Sequence, residues 1–107
     1  MTRFLDEALG FDWDRGNLDK SWKRHRVAWW ECEEVFLNEP LLLSPDPGHS
    51  GRERRFVALG ETDEGRELFL ALTIRRRQIR VISARDMSRR ERRVYESHEE
   101  ADSEVQE

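Results

Sequence analysis

Apolar residues in this 107-residue chain recur at two periods, and the change of period separates helices from strands. Phe11 and Trp13 alternate with Asp12 and Asp14, a period of two that predicts a short strand with its aromatics inward. From Arg15 the period lengthens. Leu18, Trp22 and His25 fall at i, i+4 and i+7, which predicts a helix turning that row to the core, with Lys20, Lys23 and Arg24 around the rest and Asp14 placed to cap it. A second helix is predicted over residues 29–37, with Ala28, Cys32, Val35 and Phe36 on one face and Glu31, Glu33 and Glu34 outward. Asn38, Glu39 and Pro40 close it.

The period then returns to two. Leu41, Leu42 and Leu43 lie between Pro40 and Pro45, so a strand there is brief or at an edge. Residues 46–51, D-P-G-H-S-G, are a loop. Strands are predicted over residues 55–60, 67–74 and 78–83; short links make them an antiparallel meander. The link at Arg76 and Arg77 lacks the Gly or Asn that a tight hairpin turn prefers. Ser88 and Glu91 have the spacing of a capping box and start a third helix, with Val94 and Tyr95 expected against the sheet. The expectation is one α+β domain over residues 1–96: a small antiparallel β-sheet, a meander of three to four strands, packed by two N-terminal helices and one C-terminal basic helix. Residues 97–107 form an acidic tail expected to be disordered, having almost nothing to bury.

Charge sharpens this picture. The formal net charge is −4, yet nine arginines between Arg75 and Arg93 face only Asp86 and Glu91, while residues 94–107 carry six acids and no base. A basic block between acidic flanks points to a local polyanion site on a protein that is not a general nucleic-acid binder. Cys32 is alone, which excludes an intramolecular disulfide, and no apolar run approaches a membrane span or a signal peptide, so a cytoplasmic protein is expected. Phosphate-loop, zinc-protease, paired-cysteine and serine-hydrolase motifs are missing, and Cys32, His25, His49 and His98 are too scattered for a zinc set; no metal or other cofactor is expected.

The remaining chemistry is what arginines, a histidine or two and a tyrosine perform. RNA cleavage through its own 2′-hydroxyl needs a group to take that proton, cations to hold the charged phosphorane and a donor for the leaving 5′-oxygen. The planar guanidinium matches phosphate oxygens, which makes Arg55, Arg80 and Arg85 candidate clamps. His49, in the loop beside Ser50, can exchange protons; Tyr95 can donate one or stack on a base. His25 is expected to pack, as are Cys32 and the four tryptophans, and Arg75, Arg76, Arg77, Arg90 and Arg93 read as solvated charge.

Four ordered blocks carry a resemblance: W-D-R-G-N-L-D-K-S-W-K-R-H over residues 13–25, E-E-V-F over 33–36, D-P-G-H-S-G-R-E-R-R-F over 46–56 and I-S-A-R-D-M-S-R-R-E-R-R-V-Y over 82–95. Together they resemble the BrnT toxins, ribonuclease partners of BrnA antitoxins with a fold similar to RelE and ParE toxins. Departures fall at Ser21, where Asn is common, at Arg24, His25 and Arg26 in place of Lys-His-Gly, and at Ala28 in place of Ser or Thr. The resemblance implies a metal-independent endoribonuclease that inhibits translation, neutralised by a ribbon-helix-helix antitoxin that contacts operator DNA. It places Arg55, Arg80, Arg85, Tyr95 and His49 at the active surface, with Arg54, Arg89, Arg92 and Glu91 toward substrate. The rival expectation is a catalytically degenerate module that binds RNA or antitoxin and acts in autoregulation.

Overall fold

The computed structural model describes Ala8, residues 10–46, Gly48 and residues 53–105, the last of these without the side chains beyond His98. The elements run α1 (Lys20–His25), α2 (Trp29–Leu37), β1 (Leu42–Pro45), β2 (Arg55–Glu61), β3 (Glu67–Arg75), β4 (Gln78–Asp86) and α3 (Arg89–Val105). The strands form one antiparallel sheet in the order β1-β2-β3-β4, the meander that the alternating segments predict. With two N-terminal helices and one C-terminal helix, the architecture is α+β as expected.

Alternation along β3 sorts the sheet into two faces. Leu68, Leu70 and Leu72 are fully buried; Leu70 registers with Ala58 and Ala84 and Leu72 with Val81, and these residues join Val27, Cys32, Val35 and Leu41 in the core. α2 lies on that face. A Cβ on Gly60 would come within 2.8 Å of Val35 Cγ1, so the glycine sets how closely helix and strand approach. Phe69, Ala71 and Thr73 point to the opposite face, flanked by Leu59, Val57 and Arg55 on β2.

β4 departs from simple alternation at one place. Ala71 pairs with Ser83 but Leu72 pairs with Val81, leaving Ile82 as an extra residue in a bulge. β4 is also the edge strand, and its outer polar groups are covered. Ile79 N donates to Gly10 O and Asp12 N donates to Ile79 O, both at 2.9 Å; Asn17 Nδ2 donates to Val81 O at 3.0 Å; Ala84 N donates to Ser21 Oγ at 3.0 Å. The predicted N-terminal strand reduces to the Phe11 bridge with Ile79, with Phe11 and Trp13 packed against the core as expected.

Several expectations are corrected. Helix α1 begins at Lys20 and not Arg15, because residues 14–18 turn around Asp14, whose carbonyl accepts from the Asn17 and Leu18 N–H groups. Its apolar row faces outward: Leu18 and Trp22 are 42% and 46% exposed and His25 is exposed, while Ser21 and Asn17 point in to serve the β4 edge. The four tryptophans are not a core set; Trp22, Trp29 and Trp30 are all substantially exposed. Val94 is likewise exposed, and Tyr95 alone of that pair is buried. The capping box forms, with Ser88 N donating to Glu91 Oε1 at 2.8 Å and Glu91 N donating to Ser88 Oγ at 3.2 Å, and the helix it starts runs to Val105. Arg76 and Arg77 close the β3–β4 hairpin with φ of 52° and 66°, the left-handed pair a primed turn requires, without glycine or asparagine.

Two substitutions test these constraints with opposite signs. Gly60→Ala is expected to destabilise by about 1–3 kcal/mol, because fully buried Val35 has nowhere to swing. Replacing Arg76 and Arg77 by Asn-Gly is expected to stabilise by about 1 kcal/mol through relief of left-handed backbone strain. Thermal melts of the three proteins check both.

Candidate active surface

The bulge at Ile82 decides which arginines share a face. Arg80 and Arg85 are five residues apart and would lie on opposite sides of a regular strand; the extra residue restores the parity, so Arg80 registers with Thr73 and Arg85 with Phe69 on the face away from the core. Arg55 also registers with Thr73. The row Arg55–Thr73–Arg80 therefore crosses one end, the half-buried Val57, Ala71 and Ser83 form the middle, and Leu59, Phe69 and Arg85 lie toward the other end.

Helix α3 crosses that second end. Its capping box orients Glu91 so that Arg85 Nη1 and Nη2 donate to Glu91 Oε1 and Oε2 at 2.8 and 3.0 Å. One residue on, Arg92 lies 3.7 Å from Glu67 of β3, and a turn later the Tyr95 hydroxyl donates to Glu61 Oε1 of β2 at 3.1 Å and to Pro40 O at 2.8 Å. The Arg85 guanidinium also sits 3.9 Å from the Phe69 ring centroid, a cation–π contact, and Arg85 Nη1 donates to Asp86 O. Arg85 is thus fixed on three sides yet retains a side chain 38% exposed.

Arg80 is held separately. Its Nη1 and Nη2 donate to Asp14 Oδ2 and Oδ1 at 3.0 Å each, with Asp12 at 3.4 Å, and its side chain is 15% exposed. Along β4 the two arginines are separated by roughly 15 Å of strand. They form two anion stations on one face, not one clamp. Hydrogen bonding from Arg85 lowers the Glu91 carboxyl below its ordinary value, and hydrogen bonding from Arg80 does the same for Asp14, so both acids stay ionised around neutrality.

The other expected residues divide. Arg54 is exposed and rests over the Phe56 ring at 5.6 Å, Arg89 is exposed on the first turn of α3, and Arg92 is half exposed beside Glu67. Tyr95 does not reach the surface: its side chain is fully buried and its hydroxyl donates into the fold, so it serves as the bolt of α3. His49 lies outside the described residues. Cys32 is buried, and burial first and the Glu31 and Glu33 carboxylates next push its thiol up to about 12, which keeps it protonated and inert. Among the described residues, no three His, Cys, Asp or Glu side chains group as a metal site, and no helix is long and apolar enough to cross a membrane.

Helical spacing predicts packing for His25, and the structure puts it elsewhere. It ends α1, exposed, and its carbonyl accepts from Arg66 Nη2 at 3.3 Å. Arg66 Nε and Nη2 donate to Asp86 at 2.8 and 3.2 Å, and its Nη1 donates to Arg26 O and Glu31. Arg66 therefore gathers the end of α1, the start of α2 and the end of β4 at one corner. The signal available in the sequence was the lone Arg66 after a hairpin loop, which no pattern rule singles out.

The α+β domain thus offers Arg80 and Arg85 from one sheet face, each oriented by carboxylates that leave its guanidinium planar and aimed. Residues 13–91 match the family model described as ribonuclease toxin, BrnT, of type II toxin-antitoxin system. The match takes in most of the chain, which therefore belongs to the BrnT family of ribonuclease toxins, as the four sequence blocks suggested. Family membership implies an RNA substrate and an antitoxin partner. Among curated proteins nothing matches the chain.

The Arg85–Glu91 pair makes a pH prediction. The folded carboxyl of Glu91 lies below its unfolded value, so its contribution to stability is present above the unfolded value and is lost as pH falls through the folded one. Glu91→Gln should accordingly melt lower than the parent at neutral pH, with the gap closing in acid below the ordinary carboxylate range. Paired melts at the two pH values measure it.

Proposed function

We propose that the chain cleaves RNA without a metal by attack of the substrate's own 2′-hydroxyl, and that this cleavage of cellular RNA inhibits translation until a ribbon-helix-helix antitoxin of the BrnA kind neutralises it. The observation that carries this reading is the Arg85 cluster: an exposed guanidinium fixed beside an ionised carboxylate on an open sheet face. Arg85 turns from Glu91 to the scissile phosphate and holds its developing negative charge. Glu91, released, takes the 2′-hydroxyl proton as the bond from O2′ to phosphorus forms. The bond from phosphorus to O5′ breaks, and the leaving oxygen takes a proton from an imidazole, for which His49 is the candidate. The products are a 2′,3′-cyclic phosphate and a 5′-hydroxyl. Arg80 and Arg55 bind flanking phosphates, with Arg54, Arg89 and Arg92 drawing RNA in.

A second reading has its own support. Arg80 and Arg85 are both saturated by carboxylates, which suits a degenerate module that binds antitoxin or RNA without cutting.

Purified chain incubated with end-labelled RNA in excess chelator separates the two. Cleavage is expected, with cyclic phosphate on the 5′ fragment, and Arg85→Ala is expected to lower the rate by about 10²–10³ in a chain that still folds, its melt lowered in the same direction as that of Glu91→Gln. RNA that is bound but stays uncut at any protein concentration favours the degenerate module.

A further inference from the structure

The apolar row of α1 and the tryptophans that open α2 leave a groove of about 350 Å³ facing solvent, lined by Leu18, Asp19, Trp22, Ala28, Trp29 and Trp30. Leu18, Trp22, Trp29 and Trp30 are between 41% and 54% exposed. Four large apolar side chains, each about half covered by the fold, have further transfer free energy to gain from an occupant. The indoles present faces as well as area: Trp29 and Trp30 stand edge to face at 5.7 Å and 87°, and the Arg26 guanidinium lies 5.4 Å over the Trp22 ring.

The α1 side of the groove is cationic, while the acids that follow Trp30 on α2 are engaged elsewhere, Glu31 by Arg66, Glu33 by Trp13 Nε1 and Glu34 by Asp63 N. Residues 15–26 carry Arg15, Lys20, Lys23, Arg24 and Arg26 against Asp19 alone, on a chain whose net charge is −4. Asp19, the one acid lining the groove, lies 3.5 Å from Lys23, whereas Arg15, Lys20 and Arg24 make no ion pair among the described residues. The groove also leads to the sheet. Leu18 N donates to Asp14 O, and Asp14 holds Arg80; a Cβ on Gly16, between them, would lie 3.3 Å from Arg80 Nη2.

We propose that this groove is a second RNA site, a stacking track that takes unpaired bases of single-stranded RNA where the strand passes the β4 edge at Arg80. It rests on the RNA reading above and extends it to a surface away from the Arg85 cluster. Charge complementarity selects the occupant. Single-stranded RNA brings one anion per nucleotide to the cations and a π face to each indole, the combination that sequence-tolerant single-strand binders use. A second copy docked on this groove by twofold symmetry would set the cationic segment against itself. An apolar peptide would fill the groove and leave the cations without a counterpart.

The test measures fluorescence anisotropy of a short, mixed-sequence, fluorescein-labelled single-stranded RNA with three proteins: the parent, Trp22→Leu with Trp30→Leu, and Trp22→Tyr with Trp30→Tyr. Both positions are exposed, so all three should fold, and melts verify it. Stacking predicts binding weakened by about tenfold or more in the leucine pair. The tyrosine pair, which keeps a π face, should stay close to the parent. Lys20→Gln with Arg24→Gln should flatten the salt dependence of binding, by about 0.7 in the log–log slope for each phosphate that is no longer neutralised. Equal affinity of the parent and leucine pair overturns the proposal. So does a parent dimer that the leucine pair dissociates, or antitoxin binding that the leucine pair abolishes while RNA binding stays intact. Tryptophan-dependent binding by a chain that leaves RNA uncut upholds the track and removes the proposed reaction, so the two fail separately.

Discussion

One inserted residue, Ile82, sets the chemistry of this sheet. Successive side chains of a strand alternate, so arginines five positions apart belong on opposite faces. The bulge breaks that rule once and puts Arg80 and Arg85 on the same side while Val81 and Ala84 both remain in the core. The irregular edge it creates needs polar partners, and Asn17 and Ser21 supply them. That requirement determines how α1 is rotated. With its polar positions committed to β4, its apolar row is left pointing outward, and the tryptophan groove is the result.

Electrostatics then prepares the face. The two arginines of β4's outer face are held by their own carboxylates, Arg80 by Asp14 and Asp12 and Arg85 by Glu91, and Glu91 is itself fixed by the cap of α3. Such pairs on a partly exposed surface contribute modestly to stability. Their larger effect is to keep two guanidinium groups aimed, while requiring an incoming phosphate to compete with an acid already in place. Arg66 does the comparable work at the corner where α1, α2 and β4 meet.

The arrangement devotes little of the chain to a core and much to surfaces. One face of the sheet is closed by α2, but the other is crossed only at its end by α3, bolted through Tyr95. A fully buried tyrosine at that position explains how a helix so rich in charge stays attached: one deep aromatic and polar links to β4, β3 and β2 in turn hold it. What is left open is basic and aromatic, the composition that a single-stranded polyanion meets best.

The sequence by itself determined the meander of three strands over residues 55–83 with a brief strand near residue 42 left open at its edge, the bounds of α2, the cap of α3 and the concentration of arginine on β4 and its neighbours, because each of these is written in local periodicity or capping chemistry. It also carried the family, through blocks whose order no single motif supplies. Only the tertiary structure decided which side of α1 faces the protein, since a 3.6-residue period shows that a helix has two faces but not which of them the neighbouring edge strand will need. For the same reason the sequence misplaced His25, Trp22, Trp29 and Trp30 as packing residues and Tyr95 as an accessible one. The pairing of Arg80 with Asp14, 66 positions away in the chain, and the parity that unites Arg80 with Arg85 depend on register and on one bulge; both are properties of the assembled sheet, on which the local pattern is silent.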